Sequence, residues 1–269
     1  MATVEDAVEF WRKRKEKDGP IGRTSWYFAN KFAEELGHRP VLDLTGADLA
    51  TYIDRGQGAP AQRREINTIK SIVNYFRKMS GDQPIYMDRP RDNAGRTQWL
   101  TADKRDEFLE LAPDEIKGLA TAMFFTGARR GELCAARLAD VDWDKLTVEV
   151  ANRKGGMGLK RRKVPIHRRV LPYIEDAAAS KGRLLFADPA GKEWKETLFH
   201  RFWWQTVVRA GLSDFKPHDA RHTFATLLVQ QGVSLRVIAD LLGHSGLAMV
   251  LRYAHMASED GDKAVHNLR

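Results

Sequence analysis

Residues 145–167, KLTVEVANRKGGMGLKRRKVPIH, are the stretch whose pattern predicts β-structure in a chain that otherwise shows helical periodicity. β-branched residues alternate with other types along 145–154, and more weakly along 160–167. The glycine-rich GGMG between the two runs lets the chain reverse. The stretch therefore predicts an antiparallel hairpin.

This hairpin is strongly basic. Between Ala151 and Ile166 the sequence has six basic residues and no acidic one: Arg153, Lys154, Lys160, Arg161, Arg162 and Lys163. One interpretation is a solvated basic loop. The other is contact with nucleic-acid phosphates, and we predict DNA contacts for the arginines and lysines of this segment.

The segments before and after the hairpin predict helices, because their apolar residues recur at spacings of three and four. We expect a mainly α protein with a small antiparallel β-sheet. Pro84, Pro90, Gly81 and Gly95 interrupt any helix over residues 80–98. We therefore expect a helical domain over 1–85, a linker over 86–98, and a second, mixed domain over 99–269 that contains the hairpin.

The composition limits the classes of partner and compartment. The chain of 269 residues carries a formal charge of +8 with a pI near 9.6, which favours a polyanionic partner. Cys134 is the only cysteine, so an intrachain disulfide and a cysteine-rich zinc site are excluded. Neither a signal peptide nor a run of 18 apolar residues is visible, so we expect neither export nor membrane insertion.

The motif TGARRGEL, residues 126–133, follows an apolar helix. Gly127 can carry the backbone through a turn, which places Arg129 at the start of the next helix and Glu132 one turn later. Taken alone, such a pair is most often a surface salt bridge.

The motif HDARHTF, residues 218–224, allows two interpretations. His218 and His222, with His244 as a third ligand, resemble a metal site, but the glutamate that a zinc hydrolase needs beside the first histidine is replaced by Asp219. Alternatively, His218 and Arg221 lie one turn apart and point toward one phosphate. His222 is then structural.

A fourth motif is LLGHSGLAMVLRYAH, residues 241–255. Tyr253 follows His244 by nine residues. Residues 234–253 also fit a helix-turn-helix, which leaves a purely DNA-binding function open.

Taken in chain order, TGARRGEL, the hairpin, HDARHTF and LLGHSGLAMVLRYAH together resemble the catalytic domain of the tyrosine recombinases, the phage integrase family. The resemblance covers residues 99–258 well, whereas 1–85 resemble the family's helical core-binding domain only in the number and position of helices. Ala220 and Ala128 replace larger apolar residues of the family pattern. The hairpin is longer than usual, so Lys160 competes with Lys154 for the position of the family's lysine.

The resemblance implies a set of catalytic residues: Arg129, Lys154, His218, Arg221, His244 and Tyr253, supported by Glu132. Arg129, Arg221 and His244 would hold the phosphate, with Glu132 orienting Arg129. His218 would accept the tyrosine proton and Lys154 would protonate the leaving 5′ oxygen.

The resemblance also implies the product and the partners. The product is a 3′-phosphotyrosine bond, formed without metal or cofactor. The partners are double-stranded DNA, further copies of the chain in a tetramer on two DNA sites, and accessory DNA-bending proteins. We expect the protein in the cytoplasm of a bacterium or of a phage-infected host, on DNA.

Overall fold

A computed structural model describes residues 1–17, 19–53, 59–87, 98–152, 160–244 and 246–256, with residues 59, 60, 152, 160, 248, 255 and 256 described by their backbone only. The chain forms two compact units, Met1–Gly95 and Arg96–Arg269. Within the described ranges, no helix is long and apolar enough to cross a bilayer.

The first unit is helical. Its helices are α1 (Val4–Glu16), α2 (Arg23–Leu36), α3 (Gly46–Ile53) and α4 (Ala59–Ser80). Thr3 and Thr45 cap α1 and α3. Each hydroxyl accepts from the backbone N–H of the aspartate three residues later, and the carboxylate of that aspartate accepts from the threonine N–H. The apolar faces of the helices enclose one core, which extends to Met87.

The second unit combines seven helices with a small sheet among its described residues. The helices are α5 (Ala102–Leu111), α6 (Asp114–Thr126), α7 (Arg130–Ala135), α8 (Leu171–Ala179), α9 (Glu196–Arg209), α10 (Pro217–Gln230) and α11 (Leu235–Leu242). An aromatic group of Phe108, Phe124, Trp203 and Phe215, with ring centroids 5.0–6.3 Å apart, lies in the centre of the main core.

The sheet has three antiparallel strands in the order β1 (Val141–Asp142), β2 (Thr147–Asn152) and β3 (Lys160–Pro165). Val148 pairs with Val164, and both are buried. The hairpin and the mainly α fold with a small antiparallel sheet are thus confirmed. The short strand β1 was not predicted, since two residues give no alternation to detect.

Residues after Gly243 differ from the helix-turn-helix interpretation. Instead of a second α-helix, two short 3₁₀ segments follow, Leu247–Met249 and Leu251–Met256. The helix-turn-helix interpretation of this segment is therefore wrong. The 3₁₀ segments cover a second core cluster, which includes Ala225 and Ile238 and places Tyr253 beside α10.

Candidate active site

Glu132 is the centre of a buried ionic network. Its carboxylate accepts from the backbone N–H and the Nη1 of Arg129, both at 2.9 Å, and from Arg162 Nη1 at 3.0 Å and Nη2 at 2.8 Å. The glutamate side chain is 3% exposed and that of Arg162 is 13% exposed. Burial would raise the pKa of Glu132, but the hydrogen bonds and charges of Arg162 and Arg129 outweigh it and lower the pKa. Glu132 is thus held ionised and fixes Arg129 at the start of α7.

Arg221 lies one turn into α10 and is 3% exposed. Its Nη1 donates to the Gly127 carbonyl at 2.8 Å, and its Nη2 donates to the Leu242 carbonyl at 2.7 Å and to His244 Nε2 at 2.8 Å. Burial, followed by the charges of Arg129 and Arg162, lowers the pKa of Arg221 to about 10. The guanidinium is therefore charged at neutral pH and connects the turn after α6 with the end of α11.

His244 follows the left-handed Gly243 that ends α11. Because a guanidinium only donates, His244 Nε2 accepts from Arg221, and the hydrogen of the neutral ring lies on Nδ1. This Nδ1 is buried and has no hydrogen-bond partner among the described residues. Burial and the charges of nearby arginines lower the pKa of His244 to about 4, so the ring is neutral at pH 7. It offers an unused N–H donor.

Tyr253 is buried, with 2% of its surface exposed. Its Oη lies 2.5 Å from the Nδ1 of His222 on α10. Burial raises the pKa of Tyr253, while the charges of Arg252 and Arg221 act in the opposite direction. The phenol is therefore protonated at neutral pH and in direct contact with an imidazole.

His218 is located differently from His222. It is exposed, at the start of α10, and lines a pocket of about 700 Å³ that Arg129 and Arg221 also line. The rings of His218 and His222 meet edge to face with centroids 4.9 Å apart. The structure thus brings His218, Arg129 and Arg221 to one pocket, with His222 between His218 and Tyr253.

The basic residues of β3 lie on opposite faces of the sheet, because successive side chains of a strand alternate. Arg161 and Lys163 lie on the outer face with side chains 59% and 57% exposed, whereas Arg162 turns toward Glu132 and also donates to the Leu241 carbonyl. A DNA contact by Arg162 would require an outward guanidinium, whereas this guanidinium is directed inward to Glu132. Arg153 and Lys154 lie outside the described residues, as does the side chain of Lys160.

The metal interpretation does not fit the described part of the chain, where no group of three His, Cys, Asp or Glu side chains is placed to bind a metal ion. His244 uses its Nε2 to accept from Arg221, and His222 uses its Nδ1 to contact Tyr253. Neither of these two nitrogens is free to bind a metal ion.

Sequence reasoning did not predict the contacts of two residues of this site. His222 was taken as structural, and only its position one turn after His218 on the same helix pointed toward it. Arg162 was assigned to DNA, although strand alternation places it on the same face as the buried Val164. Parity along β3 was therefore a usable signal.

Comparison with known proteins finds similarity to one family. The model of the Phage integrase family matches residues 98–260. The chain is 30% identical over 251 residues to the tyrosine recombinase XerD of Neisseria meningitidis serogroup A, which covers 85% of this chain and 84% of that protein. It is 27% identical to the tyrosine recombinase XerA of Pyrococcus furiosus, over 89% of this chain and 84% of that protein.

Solved structures show the same fold. A Tn1549 transposon integrase in complex with circular intermediate DNA matches with a TM-score of 0.74 and 16% identity over 100% of both chains. A lambda integrase dimer bound to a core site matches with a TM-score of 0.70 and 19% identity, over 92% of this chain and 97% of that one. With the family model covering more than half of its residues, the chain belongs to the phage integrase family of tyrosine recombinases.

Proposed function

We propose that this protein is a site-specific DNA recombinase that cleaves and rejoins strands through a 3′-phosphotyrosine intermediate. The observation that carries the proposal is the arrangement around α10. This helix presents Arg221 to the pocket that Arg129 and His218 also line, and it holds Tyr253 through His222.

The phosphate to be cleaved binds between Arg129 and Arg221. Guanidinium groups suit this position because they stay charged and donate two parallel hydrogen bonds to phosphate oxygens. His244, whose Nε2 lies 2.8 Å from Arg221, adds a further hydrogen bond to the phosphate. Negative charge is greatest in the pentacoordinate transition state, so fixed donors lower the barrier more than they stabilise the bound substrate.

Tyr253 is the nucleophile. Its Oη forms a bond to phosphorus while the bond from phosphorus to the 5′ oxygen breaks, so the number of phosphodiester bonds is unchanged. Because the energy of the original bond is conserved, a second DNA strand can attack the phosphotyrosine without ATP. His218 faces the same pocket, where it contacts the phosphate or the adjoining DNA backbone.

The departing 5′ oxygen needs a proton, and Lys154 is the proposed donor with Lys160 as the alternative. In the sequence both lysines belong to the hairpin formed by β2 and β3, and β3 also carries Arg162.

The exposed face of the hairpin contacts the DNA backbone. Arg161 and Lys163 point outward there, where Arg161 pairs with Glu149 and Lys163 lies 3.7 Å from Asp142. Such contacts position a duplex without reading its sequence. We propose that four protomers assemble on two duplex sites in the cytoplasm, with accessory DNA-bending proteins setting the direction of exchange.

Covalent trapping tests the proposal. The protein is incubated with a nicked suicide DNA site in EDTA, and the products are separated in SDS. We expect a protein–DNA adduct with the wild type and none with Tyr253→Phe. An adduct with Tyr253→Phe would show that another residue is the nucleophile. DNA binding without any adduct from the wild type would indicate a non-catalytic DNA-binding protein on the same fold.

A further inference from the structure

The hydroxyl of Tyr253 contacts a histidine to which the family resemblance gives no role. Its Oη lies 2.5 Å from the Nδ1 of His222, and the two ring centroids are 5.8 Å apart with the planes tilted by 51°. His218, the residue expected to take the phenolic proton, is exposed at the start of α10. Its ring is perpendicular to that of His222. The direct contact with the reacting oxygen thus belongs to His222.

We infer that His222 is the general base of the cleavage step and accepts the Tyr253 proton at Nδ1. The inference rests on the proposed function, since it assumes that Tyr253 is the nucleophile. His218 then acts on the phosphate side of the pocket and not on the phenol.

The place of His222 in α10 supports this role. It follows Arg221, whose guanidinium is held by the carbonyls of Gly127 and Leu242. A rigid helix segment therefore sets both the phosphate donor and the base. Tyr253 belongs to the buried cluster that also contains Val250 and Leu242, and its hydroxyl meets His222 on α10.

In the free protein the His222 ring is neutral, and its lowered pKa makes it a weak base until the substrate binds. Burial, followed by the charges of His218, Arg252, Arg221 and His244, lowers the pKa of His222 to about 4. The ring is therefore neutral at pH 7, with a lone pair at Nδ1 when the hydrogen lies on Nε2. A bound phosphodiester brings negative charge beside Arg221, which favours the protonated ring during the reaction.

The proton and electron balance is complete. The Oη–H bond breaks and its proton passes to Nδ1 as the Oη–phosphorus bond forms. The bond from phosphorus to the 5′ oxygen breaks, its electron pair stays on that oxygen, and the hairpin lysine supplies the proton. In the rejoining step the imidazolium returns its proton to the departing phenolate.

The test compares His222→Asn with His218→Asn. The Asn side-chain oxygen lies near the position of Nδ1, so His222→Asn keeps a hydrogen-bond acceptor for the phenol but cannot take up a proton. Adduct formation on the suicide substrate is followed in a single turnover, and thermal unfolding and DNA affinity are measured for both variants.

We expect His222→Asn to form the adduct about 100-fold more slowly or worse, the usual range for a lost general base, with DNA affinity unchanged. We expect His218→Asn to lose less. A His222→Asn rate above about one tenth of the wild-type rate would overturn the inference, because general-base loss costs more than that. The absence of any adduct from the wild type would instead contradict the proposed function.

A second comparison separates a base from a residue that only positions the ring. Replacing Tyr253 with 3,5-difluorotyrosine makes the phenol more acidic, so it depends less on a base. We expect this replacement to reduce the defect of His222→Asn. An undiminished defect would assign His222 a positioning role and overturn the inference.

A third measurement needs no substitution at His222 and so stands if that variant does not fold. Nitrogen-15 spectra of the histidine-labelled wild-type chain distinguish the two neutral tautomers. We expect the His222 hydrogen on Nε2, with Nδ1 as acceptor. A hydrogen on Nδ1 would make His222 the donor to Tyr253 and would exclude it as the base.

Discussion

Arg162 forms a two-fold ion pair with Glu132, in which Nη1 donates to Oε1 at 3.0 Å and Nη2 donates to Oε2 at 2.8 Å. The same guanidinium contacts the end of α11, where it donates to the Leu241 carbonyl and lies against Gly243. An added Cβ at Gly243 would come within 2.9 Å of the Arg162 Cδ. Arg162 thus joins the hairpin to the turns that carry Arg129 and His244.

Arg162→Ala is expected to destabilise the protein by about 3 to 5 kcal/mol, because it removes one partner of a buried ion pair and leaves Glu132 with Arg129 alone. Urea unfolding measures the loss. Arg161→Ala is the matched control, since it removes the same side chain from the neighbouring, outward position of β3. Equal losses in the two variants would contradict a structural role for the Arg162 ion pair.

The lowered pKa of Glu132 makes the stability of the protein sensitive to acid. Its folded-state pKa lies below the ordinary value of 4.5, so its contribution to stability is present above pH 4.5 and is lost as the pH falls through the lowered pKa. We expect Glu132→Gln to be less stable than the wild type at pH 7. Its unfolding free energy should also decline less between pH 6 and pH 3, as followed by urea titrations. An unchanged slope would show that other carboxylates dominate the acid transition.

Much of the architecture was predictable from local signals. The spacing of apolar residues by three and four predicted the helices, and the alternation of β-branched residues predicted the hairpin. Thr45 and Thr101 marked the starts of two helices. The side-chain directions within the site were less accessible. The contact of Arg221 with Leu242 spans 21 residues, and that of Arg162 with Glu132 spans 30. Such contacts follow from how the elements pack, which a single sequence does not encode locally.

Arg129→Lys and Arg221→Lys are expected to lower the cleavage rate by about 100- to 1,000-fold, because each loses paired donors to the phosphate. DNA affinity, measured by fluorescence anisotropy, should change little, since most of it comes from distributed backbone contacts. The two variants should differ in stability. Arg221 is buried and holds two carbonyls, whereas the side chain of Arg129 is 33% exposed. Loss of all DNA binding in either variant would make that arginine an anchor for DNA.

The general acid is tested by a change in the substrate. A 5′-bridging phosphorothiolate provides a leaving group that needs little protonation, so it rescues an enzyme that lacks only its acid. We expect Lys154→Ala to be slow on ordinary DNA and to approach the wild-type rate on the sulfur substrate. Lys160→Ala serves as the comparison. Rescue of Lys160→Ala alone would reassign the acid, and rescue of neither would refute both assignments.

Gly127→Ala tests the turn between α6 and Arg129. Gly127 has a φ of +62°, in the left-handed region, and its carbonyl accepts from Arg221. An added Cβ would contact Phe224 and come within 2.8 Å of the Leu242 Cδ2. The backbone term alone costs about 1 to 2 kcal/mol, and the contacts add to it, so a lower melting temperature and slower cleavage are expected.

Gly131→Ala is the stability control for this variant, since its Cβ meets no atom within 4 Å and alanine favours a helix. It should unfold at the same temperature as the wild type or higher. If Gly127→Ala also kept the wild-type melting temperature but lost cleavage, the cause would be the displaced carbonyl and its bond to Arg221. If it kept both, the left-handed turn would not be needed to hold Arg221 in place.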